Sequence, residues 1–373
     1  MNILVLSWRD PKHPLAGGAE QVVHEHIKGW VANGHKVIFF SSKFRGAKEA
    51  EDIDGIHFIR YGSQYLTCHI SAFFWYFFGN HEKFDLVIDE FHGWPFFTPL
   101  YVRVKKLAII QEITREVWFK YHLPYALNYL LGGIGYLLEP LFFIPYKNIK
   151  FITGSESAKK ELEQFGIKAS NISVVPHGVI LDIPKNLPKK EKIKTVVFLG
   201  ALAKDKGIEH AIDAFSLLGK RNPDWKFWVI GKSDKSYLEY LKQLAKKKGI
   251  DNIKFWGFVS QKDKFRLLAQ AHVMLNPSIR EGWGLVNIEA NSVGTPVIAY
   301  NSPGLIDSIS NGVNGIICHK NTPEELAKET EDLLASSVNY KKLQTGAVSW
   351  SKKFNWDKSR QMSLKIISSL GDK

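Results

Sequence analysis

Cysteine is scarce in this sequence: Cys68 and Cys318 are the only two in 373 residues, and neither stands in a C-x-x-C pair or a Cys/His cluster. A disulfide framework and a Cys-based metal or redox site are thereby excluded, and a reducing cytoplasm suits such a chain. Long apolar runs are also lacking. The uncharged aromatic stretch Ala72 to Phe78 is short, and the next apolar region is broken by Glu139 and Pro140; a bilayer span takes roughly 20 residues, so no transmembrane helix is expected. The opening MNILVLSWRD has no basic leader and no small-residue cleavage site, and reads as a strand rather than a secretion signal. There is no G-x-G-x-x-G after the first strand and no P-loop, which removes the fingerprints of a nicotinamide dehydrogenase and of a P-loop NTPase.

What is present is an ordinary globular composition, 45% hydrophobic, 13% aromatic and 23% charged. At about 100–200 residues per domain, two domains are expected, large enough to bury a core without disulfides or a structural metal. Lys and Arg number 50 against 37 Asp and Glu, a net charge of +13. Such an excess points to a polyanionic partner: nucleic acid, an anionic bilayer or a phosphate-bearing substrate. No zinc-finger spacing, RNP aromatic signature or helix-turn-helix pattern accompanies it, so nucleic acid is not expected. The lysines at 242–248 follow a helical pattern and read as a solvated face.

Strand-like segments alternate with helical ones, as in parallel sheets covered by helices. Strands are expected at 2–7, 36–41, 56–60, 85–89, 107–111 and 149–153. A helix carrying Val22, Val23, Ile27, Trp30 and Val31 is expected to stop at Gly34, and another to stop at Gly166. A second series follows, with strands at 195–200, 226–231, 253–256, 273–276 and 296–300 and helices around 207–219, 236–248 and 261–271. Pro176, Pro184 and Pro188 interrupt the periodicity between the two series. The expected domains are 1–180 and 181–349, with a separate amphipathic helix in 350–373 that returns toward the first domain. In open sheets of this kind ligands bind at the carboxyl ends of strands, and with two such domains the cleft between them is the expected active site.

Two glycine-marked turns carry chemistry. In LAGGAE, Gly17 and Gly18 free backbone N–H groups to approach an anion at a helix start. In SIREGWGLVNIEANSVGTP, Glu281 lies in a strand-to-helix turn, Gly282 and Gly284 free the backbone, and 285–293 reads as a helix whose positive amino end suits a diphosphate. Glu289 follows Glu281 after seven intervening residues, and helical side chains tilt back toward the amino end, so both carboxylates are expected to reach ligand hydroxyls flanking that diphosphate.

These runs, with G-T-P-V-I-A, P-G-L, V-V-P-H-G-V at 174–179 and the segment from Gly200 to Gly207, stand in the order found in glycosyltransferase family 4, and the chain resembles that family over nearly its whole length. The resemblance implies an α/β chain of GT-B fold, two doubly wound Rossmann-like domains facing across a cleft. It implies a retaining transferase that moves a hexose from a UDP- or GDP-sugar to a saccharide or lipid-linked acceptor, with no cofactor and no divalent metal. Glu281 would meet donor-sugar hydroxyls and Glu289 the ribose. Gly284 and Leu285 would offer amides to phosphate with Gly282 beside them, Gly17 and Gly18 would complete the cradle, and Lys206 would steady the leaving diphosphate. Two positions depart from the family pattern. Ala201 stands where an Arg is usual, removing one cation, and Gln111 stands where a His is usual, which removes proton shuttling there. His92 and His177 are the nearby acceptor-side candidates. The departures leave a second reading open, a nucleotide-sugar-binding partner subunit with weak turnover.

Residues 61–146 are dense in aromatics, among them Phe73 to Phe78, Trp118, Phe119, Tyr121 and Tyr125, beside Arg103, Lys105, Lys106, Arg115 and Lys120. They are expected either to fill the core or to face an anionic membrane, peripheral at its inner leaflet, where a lipid-linked acceptor would be met.

Overall fold

The computed structural model describes residues 1–64, 66–120, 125–179 and 183–371. Tyr121 and the 180/181 boundary expected from sequence lie outside those residues. The chain divides into two compact units, Met1–Gly178 with Asn355–Lys373, and Val179–Phe354.

The first unit runs β1 (Asn2–Leu6), α1 (Gly18–Ala32), β2 (Lys36–Ser41), β3 (Ala50–Ile53), β4 (Ile56–Arg60), α2 (Leu66–Phe78), β5 (Leu86–Glu90), α3 (Thr98–Tyr101), β6 (Lys105–Ile109), α4 (Tyr125–Phe142), β7 (Lys150–Thr153), α5 (Glu156–Gln164) and β8 (Ile172–Val174). Its sheet has the order β3-β4-β2-β1-β5-β6-β7-β8, parallel throughout except for the antiparallel β3/β4 pair. Ile3 of β1 pairs with Val37 on one side and Leu86 on the other. Strands buried on both faces read as apolar runs, and NILVL of β1 is such a run. α1 stops where Gly34 takes a φ of 83°, a conformation that costs glycine little.

The second unit runs β9 (Thr195–Leu199), α6 (Ile208–Arg221), β10 (Lys226–Ile230), α7 (Lys235–Lys247), β11 (Ile253–Gly257), α8 (Gln261–Gln270), β12 (Val273–Asn276), α9 (Leu285–Ser292), β13 (Val297–Ala299), α10 (Leu305–Ser308), β14 (Gly315–Ile317), α11 (Pro323–Ala335) and α12 (Ser337–Ser351). The six strands, in the order β11-β10-β9-β12-β13-β14, are all parallel. Its helices begin on the side-chain caps expected of Asp, Ser and Thr: Asp234 accepts from the Tyr237 amide, Ser260 from Asp263, and Thr322 from Glu325. Lys190, from the lysine-rich stretch before β9, is bound into this unit by the Ala271 carbonyl at 2.6 Å and the Thr295 hydroxyl at 2.7 Å. Burial pulls its ammonium down to about 7.

The segment from Trp350 onward is not one helix. α12 ends at Ser351, and α13 (Trp356–Gly371) starts afresh after Asn355, whose side chain accepts from the Lys358 amide. Trp350 belongs to the second unit, packed with Trp283 and Phe354 and donating its indole N–H to the Ser308 carbonyl. α13 lies against α1 of the first unit: His26 bonds Ser359 at 3.0 Å and Trp30 donates to Ser363 at 3.1 Å. The approach is close, since a Cβ on Gly29 would stand 2.7 Å from Cβ of Arg360.

Candidate active site

In each sheet the chain reverses direction at one point, between β9 and β12 in the second unit and between β1 and β5 in the first. The crevice at the carboxyl ends of strands at such a point is where open α/β sheets take ligands.

In the second unit that crevice is walled by the turn after β9, residues 200–207, and the loop after β12, residues 277–284. The two are locked together. Gly207 has a φ of 71°, and a Cβ there would lie 2.1 Å from the Pro277 carbonyl oxygen. The Ile279 amide donates to the Asp205 carbonyl at 2.9 Å, and the Glu281 amide to the Pro303 carbonyl at 3.1 Å. From the other side Gly304 closes on the loop, its missing Cβ leaving room for the Glu281 carbonyl oxygen 1.9 Å from where that atom would stand. Held this way, Lys206 and Glu281 meet, Nζ to Oε1 3.0 Å, with Asp205 Oδ2 3.6 Å from the same ammonium. All three side chains keep 20–25% of their surface exposed, so the group is fixed yet open to a ligand.

Gly284 introduces α9 with a φ of 84°. The helix is anchored by buried amides: Asn276 at the end of β12 donates to Asn287 at 2.7 Å, Asn287 to Ser308 at 2.9 Å, and Asn291 to the Asn314 carbonyl at 3.0 Å. Trp283 is buried between Phe354 and Ile288. The amino end of α9, with Gly282, Gly284 and Leu285, is thereby fixed beside Lys206 and Glu281, and its first N–H groups carry the partial positive charge that favours an anion.

Glu289 lies further along α9 and is paired with Lys264 of α8, Nζ to Oε1 2.6 Å, both side chains about 15% exposed or less. Burial raises its pKa and Lys264 draws it back down. Lys264→Ala leaves that carboxylate half-buried without its cation, and a loss of about 2 kcal/mol is expected in urea unfolding at neutral pH. A pair of unchanged stability would mean that water compensates fully. Sequence reading missed Lys264, because nothing local links residues so far apart on separate helices. Ala201 is exposed and offers no cation, and Lys204 is exposed as well.

In the first unit the crevice between β1 and β5 holds Ser7, Arg9, Glu20 and Glu90. The Gly17 amide, at the N-cap of α1, is taken by the Glu20 carboxylate at 2.8 Å, while Gly18 is the first residue of the helix. Arg9 stands 3.7 Å from the same carboxylate. His92 stacks on Trp8 with ring centroids 5.9 Å apart and reaches Glu112 at 3.7 Å. Gln111 and His177 come together: His177 Nε2 donates to Gln111 Oε1 at 2.7 Å. Burial, helped by His26, pulls His177 down to about 3, so its ring is neutral and serves as a fixed donor. Glu90, which the sequence reading passed over, is buried at the end of β5 against Ser7.

The two α/β units with their parallel sheets have the GT-B fold of the glycosyltransferases. Residues 179–350 match the family model of the group 1 glycosyl transferases and residues 16–183 that of glycosyltransferase family 4. The chain belongs to the family 4 type of glycosyltransferases and is a transferase. It is 32% identical over 260 residues to an uncharacterized glycosyltransferase of Haemophilus influenzae, an alignment covering 69% of this chain and 67% of that one. Several other curated relatives are spanned over about half their length. Among solved structures, sucrose-phosphate synthase of Thermosynechococcus elongatus superposes with a TM-score of 0.80 at 20% identity, covering 99% of this chain and 98% of that one. Anabaena HepE, solved in complex with UDP-glucose, superposes at 0.72 with 17% identity, covering 99% and 100%.

Proposed function

We propose that the chain transfers a hexose, with retention of anomeric configuration, from a nucleoside-diphosphate sugar to a saccharide or lipid-linked acceptor in glycan, polysaccharide or glycolipid synthesis in the cytoplasm. The observation that carries this reading is the Lys206–Glu281 pair at the mouth of β9 and β12, beside the amino end of α9. In it the diphosphate sits on the amides of Gly284 and Leu285, Glu281 accepts from sugar hydroxyls, and Lys206 turns to the leaving phosphate as its charge develops. Charge-assisted hydrogen bonds of this kind contribute about 1.5–3 kcal/mol each. The diphosphate helps to take the acceptor proton, a route that needs no proton shuttle from Gln111. Uridine is the favoured base, since HepE of similar fold binds UDP-glucose.

A thermal-shift series with UDP, GDP, ADP and the free nucleosides tests the reading. A diphosphate at 100 times its dissociation constant stabilises the fold by about 2.7 kcal/mol. A clear shift with one diphosphate and none with its nucleoside is expected. Indifference to every diphosphate, in a protein that also hydrolyses no nucleotide sugar, overturns it.

A further inference from the structure

The helices of the first unit contain an inversion. On α2, Ile70, Phe73, Phe74, Phe77 and Phe78 recur at the spacing of a single helical face, and that face is the exposed one, with Phe78 79% accessible; Cys68 and Ala72 are the residues turned to the core. α4 repeats the pattern: Leu130, Ile134, Leu137 and Leu141 form one exposed stripe, with Leu137 73% accessible. A helix on a globular surface ordinarily turns such a stripe inward.

The two stripes are joined through α3. The Phe73 and Phe77 rings lie 5.0 and 6.1 Å from Tyr101, and Phe97, just before α3, packs edge-on against Phe142 at 5.9 Å. Leu100, 70% exposed, stands on α3 between them. α2 contains no Asp, Glu, Lys or Arg, and the one charged residue of α4 is Glu139. Glu139 points inward, 1% exposed, and accepts from the Thr114 amide at 2.7 Å, the Arg115 amide at 2.8 Å and the Trp118 indole at 3.1 Å. Around this uncharged face the rim is basic. Lys83 and Arg103 line an apolar groove of about 560 Å³ with Tyr76, Phe77, Phe84 and Leu100. The neighbouring acids Glu82 and Asp85 are engaged by Lys36 at 3.4 Å and by the Asn2 amide at 2.7 Å.

We propose that the exposed faces of α2 and α4, with Leu100 between them, dock on an anionic lipid bilayer, phosphates meeting Lys83 and Arg103 at the rim and the head of an acyl chain entering the groove. Charge selects this occupant: an uncharged apolar face with a cationic border on a chain of net charge +13 complements anionic lipid and repels a second copy. α4 lies on the bilayer rather than across it. Residues Tyr129–Tyr146 are long and apolar enough for a span, with a mean hydropathy of 1.2. Spanning, however, would tear Glu139 from its three donors within the unit and place it in hydrocarbon.

Flotation of the full chain with vesicles tests the assignment. Wild-type protein is expected to float with phosphatidylcholine–phosphatidylglycerol vesicles at low salt, less at high salt, and to remain below with phosphatidylcholine alone. Phe74→Asp with Phe78→Asp, and separately Leu137→Asp with Leu141→Asp, should each lower the bound fraction at least about tenfold. Lys83→Glu with Arg103→Glu should abolish the preference for anionic vesicles. Should either apolar pair fail to fold by circular dichroism, Leu100→Asp carries the same expectation. The assignment is overturned if wild-type protein stays below with every vesicle, or if the folded variants float as well as it does. It is overturned equally by a wild-type dimer that these substitutions dissociate in protein that binds no vesicle. Sugar-nucleotide binding in solution should be untouched by all of them, so failure here is distinct from failure of the donor reading.

Discussion

Lys206→Ala is expected to lower sugar transfer by about 10²–10³-fold while the unfolding midpoint stays nearly where it was. The two halves of that expectation come from different physics. Lys206 and Glu281 are each partly exposed, 25% and 20%, and an ion pair in that setting contributes at most about 1 kcal/mol to folding. In the proposed reaction the same ammonium would act as an oriented cation on a turn braced by Gly207 against Pro277, so meeting a developing phosphate charge would cost it little reorganisation. Loss of one such preorganised group typically costs about 2.7–4 kcal/mol of barrier. Within this turn position 201 is Ala and the other cation, Lys204, is exposed, while Lys206 is the cation of the turn that meets Glu281. The loss should therefore fall mainly on kcat, with KM for the donor rising less. On the proposed donor reading, Glu281→Ala should show the complementary split, a weaker grip on the sugar in both parameters, since its carboxylate would accept from hydroxyls already present in the ground state. Wild-type kcat in Lys206→Ala, measured with a donor that the wild-type protein turns over, would remove Lys206 from the chemistry.

Much of the second unit was legible in the sequence because its signals are local. Apolar runs such as TVVFL, KFWVI and VMLN form β9, β10 and β12, and glycines at 207 and 284 take the positive φ that their turns require. The acidic and basic groups of the candidate site sit next to those glycines: Glu281 was legible from its glycine-marked turn, and Lys206 from the resemblance to family 4 over residues 200–207. The first unit was less readable. The β3/β4 hairpin turns on Asp54-Gly55, with φ of 54° and 77°, a dipeptide well suited to such turns, yet β3 alternates AEDI with little apolar content and went unrecognised. α2 and α4 were hidden for the opposite reason. Their sequences are apolar all round, so periodicity does not mark which face is buried, and the exposed stripes emerge only from what packs behind them.

The site's supporting shell was not legible at all. Lys264 against Glu289, Asn276 against Asn287, and Gln111 against His177 join residues on different elements, and each pair is made by the way helices seat on the sheet rather than by any local pattern. Gln111 stands where the resemblance to family 4 leads one to expect His, and it accepts a hydrogen bond from a neutral His177. That bond orders this corner of the sheet, and an amide there accepts it without adding a titratable group.

Glu90→Gln is expected to stabilise the protein by roughly 3–4 kcal/mol at pH 8 and by little near pH 4.5, read as urea unfolding across that range. Glu90 ends β5 beside β1 and is 2% exposed. Burial, then the neighbouring Glu20 carboxylate, with Asp89 adding to both, push its pKa up to about 8 from an ordinary 4.5; the Ser7 hydrogen bond and Arg9 pull the other way. The hydrogen bonds agree with a protonated acid. Ser7 Oγ faces two acceptors, the Arg9 carbonyl at 2.8 Å and Glu90 Oε2, with one proton to give. A proton on Glu90 lets both contacts be made at once, Ser7 donating to the carbonyl and accepting from Glu90. Because the folded pKa lies above the unfolded one, the native state binds the extra proton between about pH 4.5 and 8. Its stabilising contribution is complete below that window and drains away as the pH rises through it. Gln keeps the donor to Ser7 and carries no charge to desolvate, so the variant loses this slope and overtakes the wild type as pH rises. A difference between the two proteins that stayed constant from about pH 5 to 8 would mean that Glu90 is ionised in the fold and that the proton on this contact belongs to Ser7.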